Sequence, residues 1–220
     1  MTITNAFPTS FKSELFSGAH CFATTVTPTG SSSTSTSYTS VSSMAGISVG
    51  MPFTGTNVGA GSVVAAITST TAFTSSVAST GSISGGTLTF TGDVFKMALM
   101  KNSVSGTYGN TSINYSDITG NSDEASGAGY TATGQVLTNV GPSIPSGTTA
   151  TVSFSPNPSW TSASFSTDGC MIYNTADKLA GIANRCVGVW SFGSTQTVSA
   201  GTLTILLPSN TSAAAVLRLA

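Results

Sequence analysis

The feature that most limits what this chain can fold into is a long segment without formal charge. No Asp, Glu, Lys or Arg occurs between Glu14 and Asp93. Only 6% of all residues are charged, against about a quarter in an ordinary soluble domain. Ser and Thr interrupt the segment so often that it contains no run of about 20 apolar residues, which a membrane-spanning helix needs. The sequence therefore predicts a hydroxyl-rich globular structure and no membrane partner.

The sparse charge also argues against nucleic acid as a partner. The six Lys and Arg residues are scattered, whereas binding a phosphate backbone requires a cluster of them. The first twelve residues contain no basic stretch followed by an apolar one, so no secretory signal is expected. With 39% hydrophobic residues, including 11 Phe, the chain is predicted to fold in a cytoplasm rather than remain disordered.

Alternation of apolar and polar residues predicts an all-β fold. Residues 94–100 place Phe95, Met97 and Leu99 on one face and Lys96 on the other, as in a half-buried strand. Further predicted strands are residues 149–154, 170–173, 186–192, 202–207 and 215–219. Short strands at this spacing indicate an antiparallel β-sandwich or barrel, jelly-roll-like.

One short helix is predicted ahead of the uncharged segment. It covers residues 11–16, with Ser10 as its N-cap and Gly18 ending it.

The uncharged segment itself is typical of a small β module. The run from Gly30 to Ser37 is almost entirely Ser and Thr, and is predicted to be a flexible lead-in. Four short strands with Gly-rich turns are predicted after it, at residues 47–53, 63–67, 71–74 and 87–90.

The residues that carry chemistry do not form a recognisable catalytic or metal-binding pattern. His20 is the single histidine and no G-x-S-x-G motif accompanies it, so it is expected to be a structural residue. Five carboxylates in turn-like sequence are interpreted as solvated loop charges: Asp117, Asp123, Glu124, Asp168 and Asp177. Cys21, Cys170 and Cys186 are widely spaced and resemble buried free thiols. The sequence thus predicts no enzyme, no cofactor and no metal site.

Aromatic side chains leave a carbohydrate-binding alternative open. The candidates for a sugar platform are Tyr108, Tyr115, Tyr130, Trp160 and Trp190. Of these, Trp190 is predicted to lie in the core, and Trp160 is predicted to be exposed after a Pro-Asn-Pro sequence.

Two parts of the sequence resemble known proteins. Residues 44–61 and 67–74 are similar to a Gly/Thr-rich β module met in phage virion and bacterial surface proteins. Residues 11–22 joined to residues 92–99 resemble the start of a family of small tailed-phage virion proteins, "K..ll.G.H.f" followed by "gDtfKiaLy". Later landmarks of that family follow in order: residues 124–130, 134–139, Trp160, 171–174, 190–193, 201–208 and 218–220.

The resemblance implies a discontinuous main domain with an insertion. The main β-sandwich domain is expected to comprise residues 1–23 and 92–220, and the inserted module residues 24–91. Loop tips are where such insertions are tolerated.

The resemblance further implies a capsid decoration, or cement, protein located on the virion surface after assembly in the host cytoplasm. The expected partner is the major capsid protein, and a homo-oligomer, dimer or trimer, is expected on the capsid. The predicted contact surface is the N-terminal segment up to Lys12, with Phe7, Pro8 and Phe11 as anchors. The alternative is a tail fibre, adaptor or adhesin-like module that binds host surface glycans.

Overall fold

The computed structural model describes residues 2–176, 178 and 183–220, and the chain is all-β: 46% of it is strand and 6% helix. In chain order the elements are β1 (Thr2–Ile3), α1 (Thr9–Phe16), β2 (Thr29–Ser33), β3 (Ser37–Tyr38), β4 (Phe53–Thr54), β5 (Val64–Ser69), β6 (Ala72–Ser75), β7 (Ser82–Thr87), β8 (Thr89–Phe90), β9 (Phe95–Lys101), β10 (Thr107–Tyr108), α2 (Ser116–Gly120), β11 (Gln135–Leu137), β12 (Asn139–Ser143), β13 (Ala150–Phe154), β14 (Ser159–Asn174), β15 (Arg185–Thr204) and β16 (Leu217–Leu219).

The chain divides into two compact units. Unit 1 consists of Met1–His20 and Asp93–Ala220, and unit 2 of Cys21–Gly92. The sequence-based bounds differ from these by one to three residues, since they place residues 21–23 and 92 in the main domain. That residues 24–91 are a module inserted into the main domain stays a prediction.

Unit 1 is built on two antiparallel sheets arranged as a sandwich. The larger sheet has the strand order β11–β9–β14–β15, and the smaller one β12–β13–β16. The rings of Phe95 in β9 and Phe154 in β13 lie 5.5 Å apart, which joins the two sheets through a shared apolar core. Within the described part of the chain neither sheet closes into a barrel.

The central strand β9 follows the predicted pattern. Phe95, Met97 and Leu99 are buried on one face, and Ala98 and Met100 are buried on the other. Because β9 pairs with β11 on one side and β14 on the other, its backbone groups are satisfied in the middle of the sheet. The predicted alternation is correct, but the second face is covered as well.

The long hairpin of β14 and β15 differs from the sequence prediction. Residues 186–192 and 202–207 were expected as separate strands, but β15 runs unbroken from Arg185 to Thr204. The register of the hairpin shifts between Thr167 and Gly169 of β14, and the extra residues opposite them form a bulge in β15. Gly193 adopts a positive φ of 76° in this bulge, which its missing side chain permits. The bulge therefore continues the strand at a position where sequence alone suggests a break.

The helix α1 starts two residues earlier than predicted. Pro8 is its N-cap residue and makes no side-chain capping bond, so the prediction of Ser10 as the cap was wrong. Proline suits this position because its fixed φ is compatible with a helix start and its missing N–H costs nothing there. Gly18 follows the helix with φ +72°.

Unit 2 has an aromatic core surrounded by three small sheets. The rings of Tyr38, Phe53, Phe73 and Phe90 stack or meet edge to face with centroids 4.8 to 5.4 Å apart. The pairs β2–β7 and β4–β8 and the triple β3–β6–β5 enclose these rings. Apolar packing of this kind stabilises the unit without any charged residue.

The predicted flexible lead-in of unit 2 is ordered structure. Residues 29–33 form β2, which pairs with β7, and residues 37–38 form β3. Ser32 is buried, and its hydroxyl lies 3.1 Å from the Ser79 hydroxyl. The prediction was wrong because small hydroxyl side chains bond to each other and to backbone groups inside the sheet, which a count of Ser and Thr does not reveal.

Candidate functional site

The predicted contact residues of the N-terminal segment divide into buried and exposed ones. Phe11 is 1% exposed and Pro8 is buried, while Phe7 is half-buried and Lys12 is exposed. The ring of Phe7 stacks on Phe11 and meets Trp190 edge to face, both with centroids 5.8 Å apart. Phe11 and Pro8 therefore hold the segment in unit 1, and a partner contact by these four residues stays a prediction.

Sequence reasoning missed the most exposed aromatic residue of this region. Phe16, in the last turn of α1, is 95% exposed, and the sequence predicted only that it ends a short helix. It lies four residues after Lys12, so the two share one outward face of α1. This outward face of α1 is a candidate contact surface. The exposure of Phe16 in the folded chain identifies it, whereas the sequence does not.

A buried ion-pair cluster fixes the end of α1 to the larger sheet. The Glu14 carboxylate accepts a hydrogen bond from Arg185 at 2.7 Å and lies 2.9 Å from Nε2 of His20. The side chains of Glu14 and Arg185 are each only 6% exposed. Burial lowers the pKa of His20 below its ordinary value, although its hydrogen bond to Glu14 opposes that shift. His20 is thus held as a structural residue between a carboxylate and the sheet.

The same cluster extends through an amide to a second ion pair. The Asn174 amide nitrogen donates to Asp93 at 2.7 Å and to the Ala19 carbonyl at 3.2 Å, and lies 3.0 Å from Nδ1 of His20. Lys178 pairs with the other oxygen of Asp93 at 2.7 Å. We call the set Glu14, His20, Asp93, Asn174 and Arg185 the buried cluster.

A second buried carboxylate contradicts the reading of the acidic residues as solvated loop charges. Asp123 has no exposure and accepts hydrogen bonds from Tyr108 at 2.6 Å, from the Gly106 amide at 2.7 Å and from the Ser105 amide at 2.8 Å. Burial acts to raise the pKa of Asp123, but the bonds from Tyr108 and the amides outweigh it and hold the pKa below its usual range. Asp123 therefore orders the loop after β9.

Glu124 organises a group of tyrosines. Its carboxylate accepts hydrogen bonds from Tyr115, from Tyr130 at 2.8 Å and from the Thr133 amide at 2.7 Å. Burial raises the pKa of Tyr130 and Tyr115, with the nearby Glu124 charge acting in the same direction. The interpretation of Glu124 as a solvated charge was therefore also wrong.

The remaining candidates for chemistry are placed as follows. Asp117 caps the turn before α2 by accepting from the Ile113 amide at 2.6 Å, and Asp168 accepts from the Ser103 amide at 2.9 Å. Asp177 lies outside the described residues. Among those described, no three His, Cys, Asp or Glu side chains are grouped as they would be around a metal ion.

The cysteines and the two tryptophans complete the list of predicted residues. Cys170 and Cys186 are buried, and burial raises the pKa of the Cys170 thiol to about 12, while Cys21 is half-buried. Trp160 is 2% exposed, so the prediction that it is exposed was wrong. Trp190 is half-buried rather than fully in the core.

Trp190 borders an apolar groove of unit 1 with a volume of about 540 Å³. Met97 and Ile172 pair directly and contribute one face of the larger sheet to it, as does Trp190. The end of β15 and the chain that follows it also line the groove, through residues 203–208. An uncharged hollow of this size suits apolar groups.

Comparison with known proteins gives no assignment: the chain matches no family model, no curated protein and no solved structure. No helix in the described ranges is long and apolar enough to cross a membrane.

Proposed function

We propose that this chain is a structural protein of a tailed-phage virion, which decorates the outer capsid surface and stabilises contacts between major capsid subunits. The proposal includes no catalytic activity and no cofactor. It rests on the resemblance of the flanking segments, and the buried cluster is the observation that supports it best.

The buried cluster gives the residues of the resemblance a common structural role. His20 belongs to the opening motif, Asp93 to the second motif, and Asn174 to a later landmark. The Asn174 amide nitrogen lies 3.0 Å from Nδ1 of His20 and 2.7 Å from a carboxylate oxygen of Asp93. Because these contacts join residues far apart in sequence, they anchor the N-terminal segment to the larger sheet. Such a pattern supports a shared scaffold, not a reaction centre.

The composition of the surface supports a role in packing against other proteins. A surface poor in charge loses little solvation free energy when it is buried against a partner. The outward face of α1 is accessible in the folded chain and carries Lys12, the last residue of the predicted contact segment, and Phe16, which lies beyond that segment. We assign it as the contact with the major capsid protein.

The tail-fibre or adhesin alternative receives less support from the arrangement of aromatic residues. A sugar platform requires exposed rings, whereas Trp160 and Tyr108 are buried and Tyr130 bonds to Glu124. That alternative stays a prediction, and copy number distinguishes it.

A pair of substitutions tests the proposed contact. Capsids purified without this chain are mixed with it and sedimented. Phe16→Ala is expected to weaken co-sedimentation, because an exposed apolar anchor is lost. It should change the free energy of unfolding by no more than about 0.5 kcal/mol. Phe11→Ala shows by comparison what loss of a structural ring does: it removes a buried ring and should cost about 3–5 kcal/mol of folding stability. Binding of Phe16→Ala at the level of the unchanged chain would contradict the assigned contact.

A further inference from the structure

The apolar groove of unit 1 has a protruding leucine at its rim. Leu206 contributes to the lining of the groove and is 79% exposed, while Ile205 and Leu207 beside it are half-buried. The Ile205 amide donates to the Pro158 carbonyl at 3.0 Å, and the Leu207 amide donates to the Asn157 side chain at 2.9 Å. The backbone on both sides of Leu206 is therefore held in place, so Leu206 projects from a fixed position.

A hollow and a projection on the same surface make that surface complementary to itself. When two copies of a chain meet about a two-fold axis, each presents the same patch to the other, so a projection of one copy can enter the hollow of its partner. Leu206 supplies an exposed apolar side chain, and the groove supplies a mainly apolar lining of about 540 Å³.

The charge pattern around the groove favours the same arrangement. A two-fold contact brings identical residues close together, so charged residues in it repel each other. The sequence contains no formal charge from Cys186 to Leu217, a range that includes the β15 side of the groove, Leu206 and the rim up to Val216. The residues that line the groove therefore place no like charges opposite each other in such a contact.

We propose that the groove is a self-association surface, in which a second copy of this chain places its Leu206 in the groove and receives the first copy's Leu206 in return. A small apolar ligand would fill the groove but leave Leu206 in water. A second copy accounts for both features. The proposal concerns the free chain in solution, so it stands or falls separately from the capsid role.

Sedimentation velocity of the full chain over a concentration series tests the proposal, with tryptophan emission recorded on the same samples. Dimer formation should bury Trp190, which is half-exposed at the groove, and shift its emission to shorter wavelength as concentration rises. Trp160 is already buried and provides a constant background.

Two single substitutions separate the groove from general surface effects. Leu206→Asp places a charge in the apolar contact and should raise the dimer dissociation constant about tenfold or more. Ile144→Asp is the matched control, because Ile144 is 67% exposed in the same unit and does not line the groove. It should leave dimerisation unchanged.

A dimer that Leu206→Asp weakens and Ile144→Asp does not would support the proposal. A chain that stays monomeric to roughly 100 µM would overturn it, as would a dimer insensitive to Leu206→Asp. A monomer whose groove instead binds the apolar dye anilinonaphthalene sulfonate would identify a small-ligand site and also overturn it. Unfolding curves of both variants establish that each is folded before it is compared.

Discussion

Two buried tyrosines of this chain differ in whether the hydroxyl group is satisfied. Tyr38, in the aromatic core of unit 2, is fully buried, and within the described part of the chain its hydroxyl has no hydrogen-bond partner. Tyr173, in unit 1, is equally buried but donates to the Thr133 carbonyl at 2.7 Å. An unsatisfied buried hydroxyl costs about 1–3 kcal/mol, whereas a satisfied one contributes about 1 kcal/mol.

Replacing each tyrosine by phenylalanine should therefore have opposite effects. Tyr38→Phe is expected to stabilise unit 2 by about 1–3 kcal/mol, and Tyr173→Phe to destabilise unit 1 by about 1 kcal/mol. Hydrogen exchange of peptides from each unit in the full chain measures both. Faster exchange in unit 2 of Tyr38→Phe would mean that its hydroxyl is satisfied after all.

For individual residues, the sequence was a better guide to the kind of role than to solvent exposure. His20 was expected to be structural, and it is bonded on both ring nitrogens. Asp123 and Trp160 were expected in solvent and are buried. The difference arises because Asp123 is satisfied by the amides of residues 105 and 106, which fold back onto it, and a sequence does not display such long-range backbone donors.

The helix α1 depends on the buried cluster for its position, and the cluster contains the chain's single histidine. Burial lowers the pKa of His20 in the folded state, below the ordinary value of about 6.5 that applies in the unfolded state. Below about pH 6.5 the unfolded state then binds more protons than the folded state, so stability falls as the pH falls.

This linkage predicts a pH dependence that one substitution removes. Between pH 7.5 and 5.5 the free energy of unfolding of unit 1 should decrease, and His20→Gln should flatten that decrease at the expense of lower stability throughout. Urea unfolding followed by tryptophan emission is a suitable measurement, because both tryptophans, Trp160 and Trp190, belong to unit 1. An equally steep pH dependence in His20→Gln would locate its source in another group.

Element prediction succeeded where burial follows a simple period. The predicted strand at residues 94–100 and β9 at 95–101 differ by one residue, because its apolar face and its neighbours both favour a strand. The lead-in at residues 30–37 failed because β2 has no apolar pattern, and its pairing with β7 is a tertiary effect. The break expected within β15 failed because a bulge accommodates the extra residues.

On the scale of the whole molecule, charge is confined to one of the two units. Unit 2, Cys21–Gly92, contains no Asp, Glu, Lys, Arg or His, whereas unit 1 contains all 13 formal charges and the buried cluster. The low charge of the whole chain is therefore an average over two different ways of stabilising a fold.

The two units should respond differently to solution conditions. Between pH 5.5 and 7.5, and from low to roughly 1 M salt, hydrogen-exchange free energies in unit 2 should stay constant, because it has no group that titrates or is screened there. Those of unit 1 should fall at the lower pH. Parallel changes in both units would show that the units unfold as one cooperative structure.

The most direct test of the proposed function is the number of copies of this chain in a virion. Quantitative mass spectrometry of purified particles, with the major capsid protein as internal reference, provides that number. A capsid decoration protein is expected at a ratio near one copy per major capsid subunit. A handful of copies per particle would contradict the proposal and favour a position in the tail.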